Sequence, residues 1–168
     1  MTGSKRLGKL VQQELTRKAK WHTRFFRLAQ HIAGWSKDPS MKVAAVIVDE
    51  EHHILAHGYN GFPRGVKDTE ERYEDRSLKY PMVVHAEVNA VLAAGHDLTG
   101  ATLYSTAMPC PDCMGVIIQA GIKTVVFPPQ FPTDQKKGKG KVDYDKLGEI
   151  TQVMADEAEV ELIEILDT

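Results

Sequence analysis

His85-Ala86-Glu87 and Pro109-Cys110-Pro111-Asp112-Cys113 hold the side chains best suited to chemistry, with twenty-two residues between Glu87 and Cys110. Imidazole and thiolate are zinc ligands, and His85, Cys110 and Cys113 make a set of three. Three protein ligands leave a fourth tetrahedral position for water, as a catalytic site requires. A zinc ion lowers the pKa of that water toward neutrality. Glu87, two residues beyond the histidine, is placed to take the proton and pass it to a leaving group. A closed structural site would need a fourth Cys or His. The chain has two cysteines, so only another histidine could close it. The pattern points to metal-assisted hydrolysis, with one zinc per subunit and Glu87 as the general acid/base.

Short elements must bring these groups together. The spacing of Val11, Leu15, Ala19, His22, Phe26, Ala29 and Ala33 predicts a helix from about Leu10 to Gly34, with residues 1–7 frayed. Val43 to Val48 is an apolar run read as a buried strand. After a turn at Asp49-Glu50-Glu51, a second strand over His52–Gly58 completes a β-hairpin. His52, His53 and His57 decorate that hairpin, with no thiol left to build a second metal site there. Gly58 to Gly65 is dense in turn residues and suits a loop that holds a polar ligand. Residues 66–80 read as a charged surface loop or short helix.

Met82 to Leu92 is a predicted helix carrying His85 and Glu87 in its first turns, with Val88, Val91 and Leu92 toward the core and Gly95 at its end. Ala101–Thr106 is β-prone and leads to Cys110, where another helix starts and runs to Gly121. Helix N-termini at both ligand groups would favour thiolate. A strand over Ile122–Phe127, a helix over Asp143–Ala158 and an acidic edge strand over Val160–Ile165 follow, and the β–α–β order predicts parallel pairing. The expected organisation is one domain over residues 1–168, its core at about 23–127 and a loop, helix and strand over 128–168.

With 168 residues, 42% hydrophobic and 26% charged, the chain has the composition of a water-soluble globular domain. It lacks an apolar run of the ~20 residues that span a bilayer, and its basic start lacks the apolar block of a secretory signal. A cytoplasmic location follows, where reduced thiols are expected. The net charge of −2 is unevenly placed. Ten of the Lys and Arg residues lie in residues 1–42, and nine acids lie in residues 143–168. Either the two ends face each other, or the basic end meets nucleotide phosphates or RNA. The first is favoured, because the domain as a whole is not basic.

The H-x-E…P-C-x-x-C pattern is that of zinc deaminases. The chain resembles the cytidine and deoxycytidylate deaminase superfamily, and within it the deoxycytidylate (dCMP) deaminases. The match covers about residues 23–127. It narrows through Gly58-Tyr59-Asn60-Gly61-Phe62-Pro63-Arg64-Gly65, Lys79-Tyr80-Pro81 before His85, and Ile117-Ile118-Gln119-Ala120-Gly121-Ile122.

The resemblance implies an α/β fold with three α/β/α layers around a mixed five-stranded sheet. It implies hydrolysis of dCMP to dUMP and ammonia, which supplies dUMP for thymidylate synthesis. A deaminase of another nucleotide, nucleobase or tRNA adenosine is the alternative, and a non-catalytic nucleotide-sensing module a third reading that Glu87 opposes. It further implies a homo-oligomer, commonly a hexamer, activated by dCTP and inhibited by dTTP, with Mg2+ accompanying the triphosphate. Asn60 matches the family asparagine near the substrate sugar. Ala86, Lys42 and Phe131 are further substrate-side candidates, and Tyr59, Gly61 and Arg64 are effector-side candidates. Lys42, Arg64 and the lysines at 136–141 are equal candidates for the 5′-phosphate. Four departures stand out. Ala44 replaces a usual glycine, where its methyl would crowd a pocket wall. Phe131 occupies a usual tyrosine position, the cysteines of an extra structural zinc site are absent, and the Pro128–Lys141 insert does not match closely.

Overall fold

A five-stranded sheet lies at the centre of this computed structural model, which describes residues 3–129 and 144–166. The strands are β1 (Ala44–Val48), β2 (Ile54–Tyr59), β3 (Thr102–Ser105), β4 (Thr124–Phe127) and β5 (Glu161–Glu164). They run in the order β2-β1-β3-β4-β5. β1 is antiparallel to β2 and to β3, whereas β3, β4 and β5 are mutually parallel. The expected hairpin, mixed sheet, parallel β–α–β order and acidic edge strand are all present.

Strand parity divides the core in two. Ala44, Val46, Val48, Tyr104 and Val126 face a first helix, α1 (Gly3–Ala33), through Phe25, Ala29 and Ile32. Ala45, Ile47, Leu103, Val125 and Phe127 face the other way. On that side lie α4 (Ala86–Ala94), α5 (Pro111–Gln119) and α6 (Tyr144–Glu157), through Ala86, Ala90, Met114, Ile117 and Ala155. The result is three layers. Two short helices, α2 (Glu70–Glu74) and α3 (Arg76–Met82), occupy the stretch read as a charged surface loop or short helix.

Several expectations need correction. α1 begins at Gly3, so part of the stretch expected to fray is helical. Its buried face runs through Phe25, Phe26, Ala29, Ile32 and Ala33, while Ala19 is exposed. The helix expected over Met82–Leu92 starts later, at Ala86. α3 ends at Met82, and Val84 then pairs with Gly61 in an isolated antiparallel bridge before α4 starts at Ala86. Leu92, expected in the core, is 74% exposed. Its place is taken by Ala86 and Ala90, because β2 presses on α4 through Gly58. A Cβ on Gly58 would stand 2.4 Å from the Ala90 nitrogen and 2.6 Å from the Ala86 oxygen. Ala44 is fully buried on the α1 side, so its methyl does not crowd the face that carries His85 and the cysteines.

Candidate metal centre and active site

The three candidate ligand groups meet at two helix starts. His85 is the N-cap of α4 and Cys110 the N-cap of α5, both in extended backbone, with Pro111 at the first turn of α5. Proline suits that position, since its missing N–H would have no intrahelical acceptor. Cys113 follows one turn on and is buried. His85 therefore lies just outside its helix rather than in the first turns as expected. His85 Nδ1 is 3.2 Å from Cys113 Sγ and 3.5 Å from Cys110 Sγ.

One ligand atom from each of His85, Cys110 and Cys113 lies within 4.8 Å of the others, so the three could hold a metal. One imidazole and two thiols form a donor set that suits zinc. The electrostatics agree. A hydrogen bond from Cys113 lowers the Cys110 thiol to about 4, with His85 helping against burial. The hydrogen bond to Cys110, then burial and the negative charge of Glu87, push the Cys113 thiol up. The pair thus releases one proton readily and holds the other, and a cation would take the place of the one it holds. The Cys110 hydrogen bond raises His85 above its ordinary value, against partial desolvation of the ring.

Glu87 lies in the first turn of α4 and is 4% exposed. Burial raises its pKa above the ordinary carboxylate value, against the opposing pull of its own N–H, His85 and Ser105. Its Oε2 accepts from Cys113 Sγ at 3.5 Å, so the carboxylate borders the ligand cluster. Thr151 of α6 anchors the other side by donating to the Pro109 carbonyl at 3.0 Å. Sequence reasoning missed Thr151, although it lies one turn before the core residue Ala155.

A second polar cluster shapes the neighbouring loops. Asn60 is 5% exposed. Its Oδ1 accepts from the Val43 N–H at 2.9 Å, and its Nδ2 donates to the Met41 carbonyl at 2.8 Å. One Oδ1 lone pair is left over. Beside it the buried Lys79 donates to Asp38 Oδ1 at 2.7 Å and to Ser40 Oγ at 2.5 Å. Ser36 Oγ donates to the Asn60 carbonyl at 2.8 Å. The pairing of Gly61 with Val84 puts this loop one residue from His85.

The remaining candidates spread around this rim. Ala86 is fully buried at the first helical position, where its N–H has no intrahelical acceptor. Lys42 and Arg64 are exposed. Tyr59 is 40% exposed, with its ring edge against Trp35 and its carbonyl accepting from Asn89 at 2.8 Å. Phe62 stacks on Tyr73 at 4.4 Å and fixes the tip of the loop. Phe131 and the lysines at 136–141 lie outside the described residues. Among the described residues one other metal-capable group occurs, Asp49, Glu51 and His53 on the hairpin turn. It is largely exposed, and His53 is already paired with Asp49 at 3.0 Å.

Comparison with known proteins agrees with this geometry. Residues 19–128 match the family model of the cytidine and deoxycytidylate deaminase zinc-binding region. An uncharacterized deaminase from the luxG 3′ region of Aliivibrio fischeri is 45% identical over 112 residues, covering 67% of this chain and 75% of that protein. The deoxycytidylate deaminase of Mus musculus is 43% identical over 115 residues, covering 64% of each chain. The solved dCMP deaminase of cyanophage S-TIM5, in complex with dCMP and dUMP, superposes with a TM-score of 0.65 at 27% identity. That match covers 84% of this chain and 94% of the phage chain. With the ligand-bearing helix starts inside the matched region, this chain belongs to the cytidine and deoxycytidylate deaminase family.

Proposed function

We propose that the protein hydrolyses dCMP to dUMP and ammonia, supplying dUMP for thymidylate synthesis. The observation that carries this reading is the convergence of His85, Cys110 and Cys113 beside the buried Glu87 carboxylate. The 43% identity to a deoxycytidylate deaminase supports the choice of substrate. The one sheet that carries both ligand helices supports reading the described residues as one domain.

In this reading His85, Cys110 and Cys113 hold zinc, which when bound supplies a Lewis acid that makes water acidic near neutral pH. Glu87 removes the proton as the water oxygen attacks C4 of cytosine. It gives that proton to N3, and the carbonyl re-forms as the amine leaves with a second proton relayed by Glu87. Atoms balance as dCMP plus water gives dUMP plus ammonia. Burial raises the Glu87 pKa above the ordinary carboxylate value, which favours its holding the proton between the two transfers. The Ala86 N–H and the free lone pair of Asn60 Oδ1 are the groups on the rim that hold base and sugar. Lys42, Arg64, Phe131 and the lysines at 136–141 are the candidates for the rest of the nucleotide. Tyr59, Gly61 and Arg64 form the effector side, for dCTP or dTTP with Mg2+, in a cytoplasmic homo-oligomer, most simply a hexamer.

The test is ammonia release by zinc-replete protein from dCMP, deoxycytidine, dCTP, CMP, guanine and a tRNA anticodon stem, each with and without dCTP or dTTP. Preference for dCMP, raised by dCTP and lowered by dTTP, is expected. Turnover of another substrate with dCMP inert would overturn the substrate assignment. Silence across the panel would overturn the enzyme reading.

A further inference from the structure

Ser105 ends β3 in phase with Leu103, on the sheet face that carries the ligand helices, and is fully buried. Its Oγ lies 3.1 Å from Glu87 Oε1 and 3.3 Å from the Ala107 backbone nitrogen. An amide N–H can only donate, so Ser105 Oγ accepts from Ala107 and its single hydrogen goes to Glu87. The two carboxylate oxygens are thereby made different. Oε1 is bound to the sheet, and Oε2 faces Cys113 Sγ at 3.5 Å, toward the ligand cluster.

We infer that Ser105 is a positioning residue for Glu87, anchoring Oε1 so that Oε2 is the oxygen that takes and returns the proton. The inference rests on Glu87 being the acid/base. The backbone of Ser105 is itself fixed, since it pairs with Ala45 of β1. A donor carried on a strand holds a carboxylate more tightly than one carried on a loop. With Glu87 buried, deleting the hydroxyl removes the donor that ties Oε1 to the sheet. The carboxylate is then free to rotate about its last torsion, which is soft.

The experiment uses the full zinc-replete chain with Ser105→Ala and Ser105→Thr. It measures kcat and KM for dCMP, zinc content, and the Glu87 conformation in crystals of each. General acid–base catalysis contributes about 10²–10⁴ in rate, so partial misplacement in S105A should lower kcat by about tenfold or more. KM should stay within about twofold, since no substrate contact is removed. Zinc should remain at wild-type stoichiometry, and Glu87 should take two orientations. S105T restores the hydroxyl and should return kcat to within about threefold and Glu87 to one orientation. S105A with wild-type kcat and a single Glu87 orientation would overturn the inference, as would loss of zinc in step with activity. If S105T does not fold, S105A decides alone. If wild-type protein fails to turn over dCMP, the substrate reading fails, and the Glu87 orientation in S105A still decides the role of Ser105.

Discussion

Replacing Lys79 by methionine would leave Asp38 as a buried carboxylate without a cation. The two side chains are 7% and 1% exposed and 2.7 Å apart. Breaking a buried ion pair by removing one partner costs about 3–5 kcal/mol. Asp38 Oδ1 keeps the Ser40 N–H at 2.9 Å, the Ser40 hydroxyl at 3.0 Å and the Met41 N–H at 3.1 Å. These donors put K79M at the low end, about 3 kcal/mol. In a chain of this size that is a fall in Tm of about 6–12 °C. The pH dependence has a definite sign. Burial alone would raise the Asp38 pKa, but Lys79, the Ser40 and Met41 amides and the Ser40 hydroxyl together hold it below the ordinary value. A depressed folded pKa contributes stability above the unfolded value, near ~4, and that stability is lost as pH falls through the folded value. Without Lys79 burial gains the upper hand, the folded pKa rises, and protonation relieves the mutant. The gap between wild type and K79M should therefore be widest at neutral pH and close as pH falls toward ~4. Urea unfolding of zinc-replete protein across that range measures it. The double variant Asp38→Asn/Lys79→Met removes both charges and should recover about 1–2 kcal/mol of coupling. A K79M loss under about 1 kcal/mol at pH 7, or a gap that ignores pH, would refute the reasoning.

Glu87→Gln should keep zinc at wild-type stoichiometry and lower kcat by about 10³ or more, read by ammonia release alongside metal analysis. Gly58→Ala should destabilise by about 3 kcal/mol, since its Cβ meets backbone atoms of Ala86, Asn89 and Ala90 rather than a movable side chain. Because that helix carries Glu87, kcat should fall with it, measured at a temperature where the variant stays folded. Thr151→Val removes the donor to the Pro109 carbonyl and should cost about 1–3 kcal/mol in denaturant unfolding, with zinc released more readily to a competing chelator.

The cluster of His85, Cys110 and Cys113 was legible because its metal-binding chemistry would reside in residue type and spacing, and the sheet because parity and short apolar runs mark strands. Other features left no local mark. Cys110 and His85 cap their helices without the Ser, Thr, Asp or Asn that usually signals an N-cap. Pro111 was the one available clue. Leu92 read as core by size, yet the buried apolar positions of α4 are Ala86 and Ala90, because Gly58 brings β2 against the helix backbone. Asp38 and Lys79 are forty-one positions apart, and no periodicity links them. Ser105 was accessible in principle. A hydroxyl in phase with Leu103, five residues before Cys110, is a polar group on a buried face and must find a partner there.

That same parity decides what the unusual Ala44 means. Neighbouring residues of a strand point to opposite layers, so Ala44 and Ala45 belong to different halves of the core. Ala45 packs with Ala86, Ala90 and Met114, around the helices that bear the ligands. Ala44 packs with Phe25 and Ala29 of α1. The Ala44 methyl therefore lies on the α1 side of the sheet, in the cluster that includes Ala29. The sheet lies between it and the site. A change in β1 bears on the site only where the side chain faces α4 and α5, as Ala45 and Ile47 do. Ser105 lies on the ligand side by the same count and touches Glu87 directly. The residue that looked unusual in the sequence packs on the α1 side of the sheet, whereas the one that looked ordinary sits against Glu87, the proposed acid/base.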